Sequence, residues 1–564
     1  MDARRAFWAA AALALMATGC GDDGVETDHP ADWDAELAPP QKAEDLDPDP
    51  DVVEVELVAT EAEVELRDGE TTAAWTYNGT VPGPLIEAEV GDRLVVHFRN
   101  DLPEETTIHW HGVELPALMD GSHISQTPVP PGETFTYEFD LQQPALYWYH
   151  PHVRSNEQVE RGLYGALLVR DPETDEQLGL PEDEVVLMLD DVLLETGGAV
   201  AAPYPTDPVE RATMQLNGRE GNVLLTNGRE VPTAQVTAGV PIRLRLVNAA
   251  NARFFRLSMT DTTMHQIGTD GGLLESPVAK PPIERIDDGG GVISDPDREA
   301  GVLLVPGQRA DVVFTPRGEP GDVLTLEWHD LHRGRHDVSM DNMGWVIAHP
   351  TTGDGDQDPA PLARFEIASR GPTDEAYAPP QSLRTIDPID TTGAEVLPVT
   401  FGHDMPDGDG NVTFFATMIE GEGGVPFDDL QPDQGLEATV GDTYIYEITN
   451  MTGGDHPFHP HGFFFQPLEV QYMDMDDPAN NRTEPWPRVE NRDSIAIPER
   501  PGAKGSSMTI VRLAVRFDDT GREGQVEAFG KVPTDTQSGG WLVHCHILEH
   551  STRGMMTFLN LREP

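Results

Sequence analysis

One spacing recurs three times along this chain of 564 residues and limits what the chain can fold into. Val90-Gly91-Asp92 precedes Asn100, Gly239 precedes Asn248, and Val440-Gly441-Asp442 precedes Asn450, each with nine residues from glycine to asparagine. The turns around these segments repeat as well. Asn78-Gly79 and Asn227-Gly228 are hairpin signals upstream, and Pro131-Gly132 and Pro306-Gly307 are matching turns downstream. A period this long is no solenoid repeat; it marks whole related domains. Between the turns, apolar residues alternate, as in Leu94-Val95-Val96-His97-Phe98 and Ile242-Arg243-Leu244-Arg245-Leu246-Val247. Such alternation is the pattern of half-buried strands. The expectation is an all-β chain of three related β-sandwich domains. The second repeat is longer than the first, and the surplus is placed near 282–298, where Asp287-Asp288-Gly289-Gly290-Gly291 reads as an exposed loop.

The chemistry is concentrated in histidines. In an extended strand successive side chains point to opposite faces. In His544-Cys545-His546 the two imidazoles therefore reach one side and the thiol the other, with His550 and Met555 following. A cysteine and histidines with a distant axial methionine make a blue copper electron-transfer site. Three more pairs share the alternate spacing: His109-Trp110-His111, His150-Pro151-His152, and His459-Pro460-His461 within His456-Pro457-Phe458-His459-Pro460-His461-Gly462. Eight histidines from four pairs are enough for a cluster of three copper ions. His456, Cys545, His550 and Met555 remain for a separate mononuclear site. Two pairs lie in the first repeat and two in the third, so the cluster must form between those domains, with the second as spacer. Folding is then coupled to metal.

At these residues the chain resembles the multicopper oxidases, the family of laccases, bacterial spore-coat laccases, bilirubin oxidases and cuprous oxidases. The resemblance covers roughly residues 55 to 564, and it implies three cupredoxin-like Greek-key β-sandwich domains at 55–175, 176–365 and 366–564. It implies four copper ions, one type 1, one type 2 and two type 3. Carried over by position, the type 1 ligands are His456, Cys545 and His550, with Met555 axial in preference to Met556. The type 2 ligands are His109 and His459. The type 3 ligands are His111, His150, His152, His461, His544 and His546. The resemblance also implies a mechanism. A small reducing substrate gives single electrons at the exposed edge of His456 or His550, Cys545 relays them to His544 and His546, and dioxygen is reduced to two waters. Asp120, eleven residues past His109, matches an aspartate that relatives place near the type 2 copper. Relatives also carry a glutamate after the last histidine, a position held here by Ser551, with Glu549 two residues earlier. The expected proton route therefore relies on Asp120 and water.

The ends and the charge add context. Arg4-Arg5, an apolar run from Ala6 to Ala17 and Thr18-Gly19-Cys20 read as an export signal at 1–20. A lipoprotein signal with Cys20 lipidated is the first reading; a plain cleaved signal and a twin-arginine route are alternatives. The run is too short to span a membrane. Residues 21–54, acidic and proline-bearing, read as a disordered tether. The protein is expected in the periplasm or cell envelope, as a monomer. The two cysteines are Cys20 and Cys545, so no disulfide framework exists in the mature chain. With 37 basic against 99 acidic residues, the net charge of −62 argues against nucleic acid and favours neutral or cationic reductants. A phenol or aromatic amine oxidase is the first expectation. A metallo-oxidase of cuprous, ferrous or manganous ion is the second, with Met340, Met343, Met405 and Met418 too sparse for a methionine-rich segment. A non-catalytic structural relative is the third, opposed by the full ligand set.

Overall fold

The computed structural model describes residues 36–283, 301–330, 333, 335–341, 344–348, 359–371, 377–431, 433–475, 477–501, 507–518 and 540–562. The export signal, Cys20, most of the acidic loop near 282–298 and Met343 lie outside them. The described residues form one compact unit.

The strands form three sandwiches, each of two sheets around its own core. In the first, Glu70–Tyr77, Val52–Arg67, Arg93–Asn100 and Thr134–Asp140 form one sheet. Ile86–Glu89, Gly165–Arg170, Ala145–His150 and His109–His111 form the other. The alternation read in Leu94 to Phe98 is real: Leu94, Val96 and Phe98 are buried, while His97 is exposed. The middle sandwich pairs a six-stranded with a five-stranded sheet, and so does the third.

The repeated asparagines explain the shared spacing. Asn100, Asn248 and Asn450 each end a strand and are fully buried. Each donates from Nδ2 to backbone carbonyls of the following loop and of a distant segment: Glu104 and Val129, Arg253 and Leu304, Gly454 and Pro498. Each also accepts at Oδ1 from the backbone two residues on. One buried amide thus satisfies backbone groups that the loop leaves orphaned. The upstream turns are equally alike. Asn78 and Asn227 both take the left-handed conformation, at φ 55° and 51°, and accept from Val58 and Met188. Each strand that ends in a repeated asparagine also runs parallel to the first strand of its sandwich.

The acidic segment departs from expectation. Residues 36–51 do not float as a tether. Leu37 is buried and donates its backbone N–H to Thr233 O (2.8 Å), and Ala43 donates to Leu85 O (2.8 Å). Lys42 pairs with Glu87 at 2.6 Å, and the strand Val52–Arg67 already begins inside the expected tether. The physical reason is that backbone groups of the first two sandwiches offer partners that acidic composition does not reveal.

Candidate metal centres

Strand register brings the histidines together. His456–Pro460 lies antiparallel to Gly540–Cys545, with Phe458 opposite Cys545 and His459 opposite His544. In the first sandwich His109 lies opposite His150, and His111 opposite Trp148. Alternation then sends the thiol to one side and the flanking imidazoles to the other.

On the thiol side, Cys545 Sγ lies 3.5 Å from His456 Nδ1 and 3.6 Å from His550 Nδ1, and those two nitrogens are 3.2 Å apart. Met555 is fully buried in the same core cluster as Cys545, whereas Met556 belongs to another. Cys545 also donates its backbone N–H to Met555 O at 3.1 Å. Burial pushes the Cys545 thiol up and both imidazoles down. A thiolate here therefore needs a cation beside it. The far nitrogens are tied off: His456 Nε2 meets Thr452 Oγ1 at 2.7 Å, and His550 Nε2 donates to Leu216 O at 3.2 Å. Neither histidine shows the exposed edge expected for electron entry, since they are 3% and 1% exposed. The Thr452 loop and the helix Pro208–Asn217, which carries Leu216, supply the backbone and hydroxyl partners that cover them.

On the other side eight imidazoles converge, all buried: His109, His111, His150, His152, His459, His461, His544 and His546. His109 stacks on His461 and His111 on His459, each pair with centroids 3.8 Å apart. The nitrogens of His461 and His544 that face each other are 3.0 Å apart. Ligand atoms of His109, His459 and His461 fall within 4.8 Å of one another, as do those of His109, His111 and His150, and of His152, His461 and His544. His546 packs against His111 at 5.0 Å and His150 at 5.5 Å.

Burial, then the neighbouring rings, hold six of these imidazoles well below the usual histidine range, and burial brings His544 down to about 4. They are neutral and able to ligate. His109 Nε2, His111 Nδ1, His150 Nε2, His459 Nε2 and both nitrogens of His546 are buried without a hydrogen-bond partner. Orphaned buried nitrogens are expensive unless something takes their lone pairs. Nitrogen donors on one side and thiolate with imidazoles on the other are the donor set for copper.

Asp120 is buried and reaches two rings. Its backbone O accepts from His109 Nδ1 at 2.9 Å, and Oδ2 accepts from His461 Nδ1 at 2.8 Å. Burial works to raise its pKa, but His109, the Ser122 hydroxyl and His152 together outweigh it and the net shift is downward. Glu549 is buried too, but its carboxylate accepts from Asn251 Nδ2 of the middle sandwich at 3.1 Å; burial raises it to about 7. Ser551 donates to Leu548 O at 3.1 Å inside the short helix Leu548–Thr552.

Sequence reading missed several residues. Asp493 O accepts from His459 Nδ1 at 2.7 Å, and its Oδ1 accepts from His111 Nε2 at 3.2 Å. The middle sandwich is no mere spacer either. A Cβ on Gly307 would lie 2.8 Å from His111 Cε1 and 3.0 Å from His546 Cδ2. Gly307 was legible as a repeated turn, but nothing local marks Asp493.

Cupredoxin-like sandwiches, a buried Cys-His-His group and an eight-imidazole cluster joined through one cysteine define a copper-dependent oxidoreductase. Residues 58–174 and 404–563 both match the family described as multicopper oxidase. The chain is 26% identical to Multicopper oxidase MmcO of Mycobacterium tuberculosis, over 87% of this chain and 84% of that one. It is also 26% identical to Laccase of Bacillus subtilis, over 88% and 92%. Among solved structures, a multicopper oxidase from Campylobacter jejuni, titled a metallo-oxidase, superposes with TM-score 0.71 at 24% identity, covering 94% of this chain and 96% of that one. The chain belongs to the multicopper oxidase family, uses copper, and passes electrons from a reducing substrate to dioxygen.

Proposed function

We propose that this enzyme is laccase-like, oxidising phenols or aromatic amines one electron at a time while dioxygen is reduced to water. The observation that carries the reading is Cys545, whose sulfur lies against His456 and His550 while its backbone continues into His544 and His546. Copper, when bound, supplies one-electron redox chemistry at both sites. His456, Cys545, His550 and Met555 would hold type 1 copper. His109 and His459, each with Nδ1 on a carbonyl and Nε2 open, would hold type 2. His111, His150, His152, His461, His544 and His546 would hold the type 3 pair. Asp120 Oδ2 holds the His461 Nδ1 proton and stands as the proton-handling carboxylate, with Glu549 held by Asn251 of the middle sandwich. His456, whose Nε2 is tied to Thr452 Oγ1, is the electron-entry ligand.

A metallo-oxidase is the second reading. It is favoured by the soft thioethers of Met340, Met405 and Met418, which are 51%, 56% and 48% exposed, so they are not packing residues. Turnover of the copper-loaded enzyme with a phenol, against cuprous, ferrous and manganous ion under one buffer, tests the choice. A kcat/KM for a metal ion that exceeds every phenol and aromatic amine tried overturns the laccase reading. The domain limits at 175 and 365, export with lipidation at Cys20, and monomeric action in the cell envelope belong to the same proposal. They rest on the sequence features described above.

A further inference from the structure

Two aspartates serve the cluster in matching ways, and only one is clamped by a cation. Asp120, in the first sandwich, orients His109 with its backbone oxygen and His461 of the third sandwich with its carboxylate. Asp493, in the third, orients His459 with its backbone oxygen and His111 of the first with its carboxylate. The two stacked ring pairs, His109 on His461 and His111 on His459, follow the same exchange. The ion pairs of Asp120 among the described residues are to His109 and His461. Asp493, by contrast, takes both arms of Arg309 from the middle sandwich, Nη1 to Oδ1 at 2.7 Å and Nη2 to Oδ2 at 2.5 Å.

Arg309 is fixed on every side. Its Nε donates to Leu146 O at 2.9 Å in the first sandwich, Nη1 to Gly307 O at 3.1 Å, and Nη2 to Asp270 O at 3.3 Å. Its backbone N–H donates to Asp270 Oδ1 at 2.7 Å. The pair leaves no room beside it, because a Cβ on Gly112 would fall on both Arg309 Nη2 and Asp493 Oδ2. A buried ion pair of this kind adds little stability over apolar packing; what it adds is geometry.

We propose that Arg309 is a positioning residue for the oxygen-reducing cluster. Its grip sets the Asp493 carboxylate where it takes the His111 Nε2 proton, and this leaves His111 Nδ1 as the nitrogen offered to metal. A carboxylate accepts and cannot donate, so the proton of a neutral His111 sits on Nε2, and Nδ1 is the nitrogen found without a partner. Arg309 thus makes the middle sandwich part of the site. The inference rests on His111 being a copper ligand.

Three copper-loaded variants test it: Arg309→Met, Arg309→Lys and Asp493→Asn. The readouts are copper per chain, the type 2 EPR hyperfine coupling and the blue absorption of the thiolate site. Asp493→Asn keeps the shape but turns an amide toward Nε2, which favours the opposite tautomer of His111. It and Arg309→Met should weaken copper at the cluster by about 10- to 100-fold and change the hyperfine coupling, with the blue band kept. Arg309→Lys should fall between them and wild type, because lysine cannot reproduce two parallel bonds. Unchanged cluster affinity and hyperfine coupling in Asp493→Asn, or equal loss of the blue band and the cluster in Arg309→Met, would overturn the proposal. If Arg309→Met fails to fold, the same criteria apply to Asp493→Asn. Wild-type protein that binds copper only at the thiolate site would instead sink the ligand assignment beneath it.

Discussion

Alanine at Gly307, compared with alanine at Gly132, isolates how tightly the middle sandwich presses on the cluster. The two glycines end the same Pro-Gly turn in successive sandwiches and share a left-handed backbone, at φ 87° and 80°. An alanine at either pays the conformational penalty of roughly 1–2 kcal/mol. At Gly132 that is all, since nothing lies within 4 Å of the added carbon. At Gly307 the carbon also meets His111 Cε1 at 2.8 Å and His546 at 3.0 and 3.1 Å. His111 cannot retreat freely: its ring stacks on His459 at 3.8 Å, and its Nε2 is held by Asp493 and by Ser494 Oγ at 3.1 Å. Overpacking of this kind adds about 1–3 kcal/mol. For a domain of 150–250 residues each kcal/mol is worth about 2–4 °C. Calorimetry of the copper-free proteins should therefore place Gly307→Ala roughly 2–12 °C below Gly132→Ala. Copper-loaded Gly307→Ala should also show altered type 3 absorption, while Gly132→Ala should not. Equal melting shifts with unaltered type 3 absorption would refute the packing argument.

Cys545→Ser should abolish the absorption near about 600 nm while the cluster still binds copper, as optical and EPR spectra would read; a surviving blue band would show that another ligand forms the site. Glu160 is raised to about 8, chiefly by burial, so the stability tied to its neutral form is complete below its unfolded pKa and is lost as pH rises through about 8. In Glu160→Gln, melting temperatures between pH 5 and about 9 should fall less steeply than in wild type, and parallel curves would count against the shift. Ser551→Glu places a carboxylate where relatives have one, and oxygen consumption should then decline less as pH rises. An unchanged pH profile would weaken the case for proton delivery by Asp120 and water alone.

What could be read from sequence was whatever local geometry dictates. Alternation in a strand forces His544 and His546 to one face and Cys545 to the other, so both ligand sets follow from spacing once the strands are granted. The glycine-to-asparagine interval was legible because one buried amide must reach the same loop in every sandwich, as Asn100, Asn248 and Asn450 do. Contacts set by docking left no local trace. Arg309 meets Asp493 across 184 positions, and neither stands in a periodic pattern that would single it out. The cover over His456 and His550 was missed for a similar reason. Leu216 acts through a backbone carbonyl, and a carbonyl has no sequence signature. Composition misled at residues 36–51, where acidity suggested disorder but backbone bonds to Thr233 and Leu85 decide the outcome.

The same docking explains how the described residues, with no disulfide among them, close the central site. Cys545 is the only cysteine among the described residues and lies against His456 and His550. The eight imidazoles come from the first and third sandwiches, and the turn at Gly307 to Arg309 comes from the middle one. No single sandwich presents the set. The cluster holds imidazole nitrogens buried with no partner in the protein, and a buried polar group left unsatisfied costs about 1–3 kcal/mol relative to a satisfied one. The ordered scaffold around them, with Asp120 and Asp493 fixing ring orientation, carries that cost. Copper held there would offset it, because the lone pairs held open by the fold are the ones a metal takes. Metal held by these nitrogens would fasten the first sandwich to the third much as a cross-link does, and copper binding and domain docking would then strengthen each other by the same free energy.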